Sequence, residues 1–249
     1  MNKKNNQELK MDDEKSLMSF LKDPSIMFTE FATGLLVSDK KNLTLSAGKI
    51  IQAAIKGNLI TQIGIEIVKY RKEGRIKEDY FATNKSRATL YELLKFLDEE
   101  IPDEELFSAL KSIFFSGIST SSTAYEESLS YEFLQTAKKL SGTEILILKA
   151  NYEIFKNKNL QDKYLREDMM SSHAERSAWR KVITKQMGYG DLTSIVLKYE
   201  KNLELLGLIS PRHDVDRFQS EFQTPANFRL TETGVKFCEF ITMYGDKTK

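Results

Sequence analysis

The chain has 249 residues, enough for one large core or two smaller ones. With 41% hydrophobic and 29% charged residues, its composition is that of a folded globular protein and excludes a disordered chain. The 37 basic and 36 acidic side chains leave a net charge of +1, which excludes a global field able to recruit nucleic acid or anionic lipid, so any such partner must meet a local patch.

Residues 1–15 alternate Lys, Asn, Gln, Asp and Glu without an apolar run, so neither a signal peptide nor a transit sequence is expected there. Leu17, Phe20 and Leu21 then sit at helical spacing up to Pro24, and 1–24 is read as a flexible tail with a short helix. Phe28, Phe31, Leu35 and Leu36 form a second apolar stretch, closed by the turn residues Ser38-Asp39-Lys40-Lys41-Asn42. From Leu43 to Lys72 an i,i+4 row runs through Ile51, Ile55, Leu59, Ile63 and Ile67, widened by Ile50, Ala54, Ile60 and Val68. The pattern fits one long helix or a pair broken near Gly57-Asn58, with Gly74 as the residue that stops it.

Leu90, Leu93, Leu94, Leu97 and Ile101 predict the next helix. Pro102 opens another, with Asp103, Glu104 and Glu105 at its positive pole and Leu106, Phe107, Leu110, Ile113 and Phe114 along one face. After a Ser/Thr-rich loop at 116–123, Leu129, Phe133, Leu134, Ala137 and Leu140 continue the pattern. These elements make an N-terminal helical bundle over 25–140. Ser141-Gly-Thr-Glu144 has the spacing of a capping box and launches Ile145, Leu146, Leu148, Tyr152 and Phe155. A polar stretch at 156–172 leads to a helix with Ala174, Ala178, Trp179, Val182 and Ile183, closed by Gly188-Tyr189-Gly190. Asp191 then caps a helix that leads to Leu206.

The run Leu206-Gly-Leu-Ile-Ser210, followed after a polar loop by Phe228-Arg-Leu-Thr-Glu-Thr-Gly234, resembles the wing and last helix of bacterial winged-helix proteins. The fold expected is therefore mainly α, an N-terminal helical bundle followed by a winged-helix-like unit over 141–249 with a small two-stranded wing. The order of the glycine-punctuated helix, the Ile101-Pro-Asp-Glu-Glu helix, the Leu140-Ser-Gly-Thr-Glu-Ile-Leu-Ile-Leu segment and the terminal wing is similar to bacterial helical proteins of the Abi-alpha type, linked to abortive infection. That resemblance implies a role in phage defence and assigns no functional residue.

A DNA-reading winged helix puts one helix into the major groove and its wing near phosphates. The candidate residues are Arg176, Arg180, Lys181 and Lys185 on the preceding helix, Thr193, Lys198 and Lys201 on the 191–206 helix, and Arg212 and Arg217 in the loop. Ser194 and Arg229 join them, while Asp191, Glu200, Glu204, Asp214, Asp216 and Glu221 offset them. Phosphate neutralisation needs a net positive footprint, and this one is mixed. The basic run Lys69 to Lys77 and the acids Asp98 to Glu105 are explained by helix-end chemistry.

His213-Asp214-Val-Asp216 is the nearest approach to an acid–base motif, with His173 the only other histidine. The single Cys238 lies in an apolar row and reads as a buried small hydrophobe; one thiol fits a reducing cytoplasm, and no metal or cofactor is expected. No window approaches the roughly 18 uncharged apolar residues of a membrane span. The favoured function is thus a non-catalytic regulatory or protein-interaction module acting on a protein partner or a second copy. A DNA-binding regulator is the alternative, and a hydrolase gathering His213 with carboxylates is a third.

Overall fold

The computed structural model describes residues 43–80, 82–160, 183–189, 193–210 and 229–244. The tail and short helix expected over 1–24, and the apolar stretch from Phe28 to Leu36, lie outside them. The described chain is mainly helical: α1 Leu43–Lys72, α2 Asn84–Glu99, α3 Glu104–Gly117, α4 Ala124–Ala137, α5 Gly142–Lys156, α6 Thr193–Leu205 and α7 Glu232–Met243. Residues 183–186 are helical as well.

Two compact units divide the chain, Met1–Ile101 with Ile118–Ser122 and Pro102–Gly117 with Thr123–Lys249. This division groups α3 and α4 with α5, α6 and α7, and so differs from a bundle over 25–140 followed by a domain over 141–249. In the first unit α1 is one continuous helix through Gly57-Asn58, and packs against α2. Ile63, Ile67, Tyr70, Leu90, Leu93, Phe96 and Leu97 are buried there. The positive φ of Gly74, +66°, lets Arg75 donate its N–H to the Tyr70 carbonyl at 2.9 Å, while Gly74 donates to Arg71 at 3.1 Å. That is the Schellman stop the sequence asks of Gly74. The chain beyond it bridges Ile76 to Ser119 in antiparallel register.

The second unit is built around α3, whose residues from Leu106 to Gly117 are almost all buried. It packs against α4, α5 and α7, and α7 also meets α5. Small polar residues let backbones come close. Ser112 and Ser116 donate to the Phe240 carbonyl at 2.6 and 3.2 Å, and Ser130 to that of Ile113 at 2.9 Å. A Cβ on Gly117 would fall 2.4 Å from the Ser130 side chain, so α3 and α4 meet at their present distance only because Gly117 has none. Phe133 stands edge-on to Phe237 and Phe240, with ring centroids at 5.3 and 5.2 Å. Burial and ring geometry of this kind supply most of the stability of such a core.

The helix starts follow the capping chemistry of the sequence. Ser141 and Glu144 complete the expected box, with Glu144 accepting the Ser141 N–H at 2.7 Å. Pro102 does not open α3, which begins at Glu104; Asp103 caps it instead, accepting from the Leu106 N–H at 2.9 Å. The other carboxylate oxygen of Asp103 takes the Gly142 N–H at 3.1 Å, so one side chain satisfies the first turns of both α3 and α5.

The two-stranded wing needs correction. Among the described residues the pairing there is a single antiparallel bridge, Ile209 to Leu230. An extended run cannot continue through Arg229, whose φ is +76° where a strand needs a strongly negative value.

Candidate nucleic-acid interface

The α6 helix follows from its sequence period: Val196, Glu200 and Leu203 fall on one buried row, while Ser194, Leu197, Lys198, Lys201 and Leu205 are exposed on the opposite face. It packs on α5, and Asn202 reaches the Glu144 carboxylate at 2.8 Å, tying α6 to the capping box of α5. Gly207 ends it with φ +68°, where Leu208 donates to the Leu203 carbonyl at 3.0 Å. A Cβ on Gly234, in the first turn of α7, would lie 1.9 Å from the Leu208 carbonyl oxygen, so α7 starts directly against this turn. Thr231 caps α7, and its hydroxyl also donates to the Gly207 carbonyl at 2.6 Å.

An acid in the buried row requires a cation. Arg229 supplies it, at 8% relative exposure beside Glu200 at 4%. One terminal nitrogen donates to Glu200 at 2.7 Å and the other to Glu204 at 2.5 Å. Glu200 and Glu204 are one helical turn apart, so the planar guanidinium spans both. The same side chain donates to the Ser210 carbonyl from Nε at 3.1 Å and from Nη2 at 2.7 Å. The Ser210 N–H in turn donates to the Arg229 carbonyl at 2.6 Å.

This arrangement redistributes the charges counted in the sequence. Glu200 is buried and Glu204 is four-fifths buried, both paired with Arg229, so neither is an unpaired charge competing with Lys198 and Lys201, although Glu204 lies one turn from Lys201. Arg229 itself faces acids rather than solvent, and is withdrawn from the outward basic set. Lys185 is exposed, in the helical turn whose Gln186 donates to Glu153 of α5 at 2.6 Å. Thr193 opens α6, with its side chain outside the described part. Arg176, Arg180, Lys181, Arg212 and Arg217 lie outside the described residues, as do Asp191, His173, His213 and Trp179.

Elsewhere the charged clusters are occupied by structural tasks. Asp103 caps two helices, and Glu105 pairs with Lys149 at 2.6 Å. In the basic run, the Arg75 guanidinium lies 4.3 Å over the Tyr70 ring and 3.5 Å from Glu73. Cys238 is fully buried, its Sγ 3.6 Å from the Leu148 carbonyl, and burial pushes the thiol far above its ordinary range, which is the opposite of an activated nucleophile. Among the described residues no group of three His, Cys, Asp or Glu side chains could hold a metal ion, and no helix is long and apolar enough to cross a membrane.

No protein-family model, curated protein or solved structure matches this chain.

Proposed function

We propose that the protein is a non-catalytic regulatory module whose C-terminal unit, winged-helix-like in layout, docks duplex DNA through the outward face of α6. The supporting observation is the sorting of charge on that helix. Glu200 and Glu204 turn inward onto Arg229, leaving Ser194, Lys198 and Lys201 outward with no acid among the described residues of the exposed face. A count along the sequence sets these acids in competition with the lysines and favours a protein partner; once they are paired inward, the local footprint is positive although the whole chain is nearly neutral. Phosphate neutralisation needs that local excess, not a global one.

Fluorescence anisotropy of the full chain with labelled duplex DNA tests it. Binding is expected at low salt and falls as salt rises. Changing Lys198→Ala and Lys201→Ala together should weaken it, and should reduce the slope of log K against log salt by about 1 for each phosphate no longer neutralised. No binding at low salt ends this reading.

A specific observation favours a second reading, a protein partner or second copy. Leu197 and Leu205 are 52% and 77% exposed on the same face. Sedimentation of a strictly monomeric protein, with Leu197→Ser and Leu205→Ser leaving every association unchanged, would remove it.

A further inference from the structure

We infer that Arg229 is the positioning residue of the α6 surface, holding Ser210 and its own backbone against the helix; this rests on the DNA-docking reading above. Ser210 follows α6 and Arg229 precedes α7. They hold each other by the Ser210 N–H to the Arg229 carbonyl at 2.6 Å, and by the Arg229 guanidinium to the Ser210 carbonyl at 2.7 and 3.1 Å. The same guanidinium anchors them to Glu200 and Glu204 on the inner side of α6. One residue therefore sets where the chain leaves α6 and where it returns.

Two costs converge on this residue. Its φ of +76° is a left-handed backbone that an Arg side chain adopts against steric resistance and a Gly would take freely. Its buried ion cluster is a poor route to stability, because apolar residues of similar volume commonly serve a buried site as well or better. Strained backbone held by an over-determined surrounding points to a working position rather than a packing one. The work is geometric and electrostatic together: the guanidinium pairs two carboxylates one helical turn apart on α6 and ties the Ser210 carbonyl to the same point.

The test separates charge from position. Arg229 with Glu200 and Glu204 sums to one negative charge, and Arg229→Met with Glu200→Met leaves Glu204, again one negative charge. The double variant is expected to melt within a few degrees of the wild type, yet to bind duplex DNA at least 10-fold more weakly at the same salt. Arg229→Lys, which keeps the charge and loses the fork, should fall between them. Amide hydrogen exchange supplies a readout that needs no DNA: the Ser210 amide should exchange at least 10-fold faster in the double variant while the α3 amides stay as protected as before. A folded double variant with wild-type binding and wild-type Ser210 exchange overturns the inference. Wild-type protein that binds no duplex removes the docking reading, and the exchange result then decides the positioning role alone.

Discussion

Around α3, Phe133, Phe237 and Phe240 interlock edge-to-face, and serine hydroxyls at the helix crossings are spent on nearby carbonyls. Beside the Ile209–Leu230 bridge, the Arg229 guanidinium and the Glu200 carboxylate are buried against α6, with Glu204 completing the cluster at its edge. The first region is filled mainly by apolar side chains, for which neighbours of similar volume can substitute; the second is made of charge-assisted hydrogen bonds that depend on one geometry. A protein that needed only stability there could have repeated the first arrangement. That the same unit uses both marks where shape is filled and where geometry is specified.

The sharpest way to break the apolar side is Phe133→Ala. It removes both aromatic pairs and leaves a cavity, and should cost about 3–5 kcal/mol in denaturant unfolding with α4 and α7 affected together. On the ionic side, Arg229→Met alone strands Glu200 with its charge buried. A loss of roughly 3 kcal/mol is expected, and most of it should return in the double variant with Glu200→Met. A double variant as unstable as the single one would mean that Arg229 is held by packing, and the contrast between the two regions would collapse.

Much of the first region was legible in the sequence, and most of the second was not. Leu106, Phe107, Leu110, Ile113 and Phe114 follow the helical period, and all are buried on α3. Ser141 and Glu144 have the spacing of a capping box and form one. Period and spacing are local, so the sequence carries them. Arg229 reads as one more loop cation because its partners lie a helix away, and a charge count along the chain has no sense of which side a residue faces. One local signal was present: Val196, Glu200 and Leu203 share a helical row, and an acid in an apolar row demands a buried cation. The wing went wrong for a related reason: its expectation rests on the resemblance of residues 206–210 and 228–234 to winged-helix proteins, and nothing in the residue type Arg signals a left-handed φ.

A smaller effect sharpens the comparison at the surface of the apolar region. Thr123 and Glu126 cap α4 reciprocally, the Thr123 N–H donating to Glu126 at 3.0 Å. Thr123→Ala should cost about 1 kcal/mol. The Thr123 backbone N–H, with Lys236 helping, holds the Glu126 carboxyl below its ordinary value of 4.5. Because the folded value is the lower one, the cap's ionised contribution is present above that pH and is lost as pH falls through the folded value. The stability gap between wild type and Glu126→Gln should therefore be open at neutral pH and close in acid; a gap independent of pH would mean that the carboxylate charge adds nothing to the cap.

The smallest stability effect is expected where the largest functional one is. Lys198 and Lys201 are exposed on α6, and neither takes part in the Arg229 cluster. Exposed side chains away from caps and buried networks usually change stability by no more than about 0.5 kcal/mol. Lys198→Ala with Lys201→Ala should accordingly leave the denaturation midpoint where it is while binding to duplex DNA falls. If the midpoint drops with the binding, the lysine stems are covering apolar surface such as Leu197 and Leu205, and the face is built for packing rather than for phosphate. If the midpoint holds and binding falls, the ionic seam under α6 and the cationic face above it are two sides of one device, with the acids kept in so that the lysines can act outward.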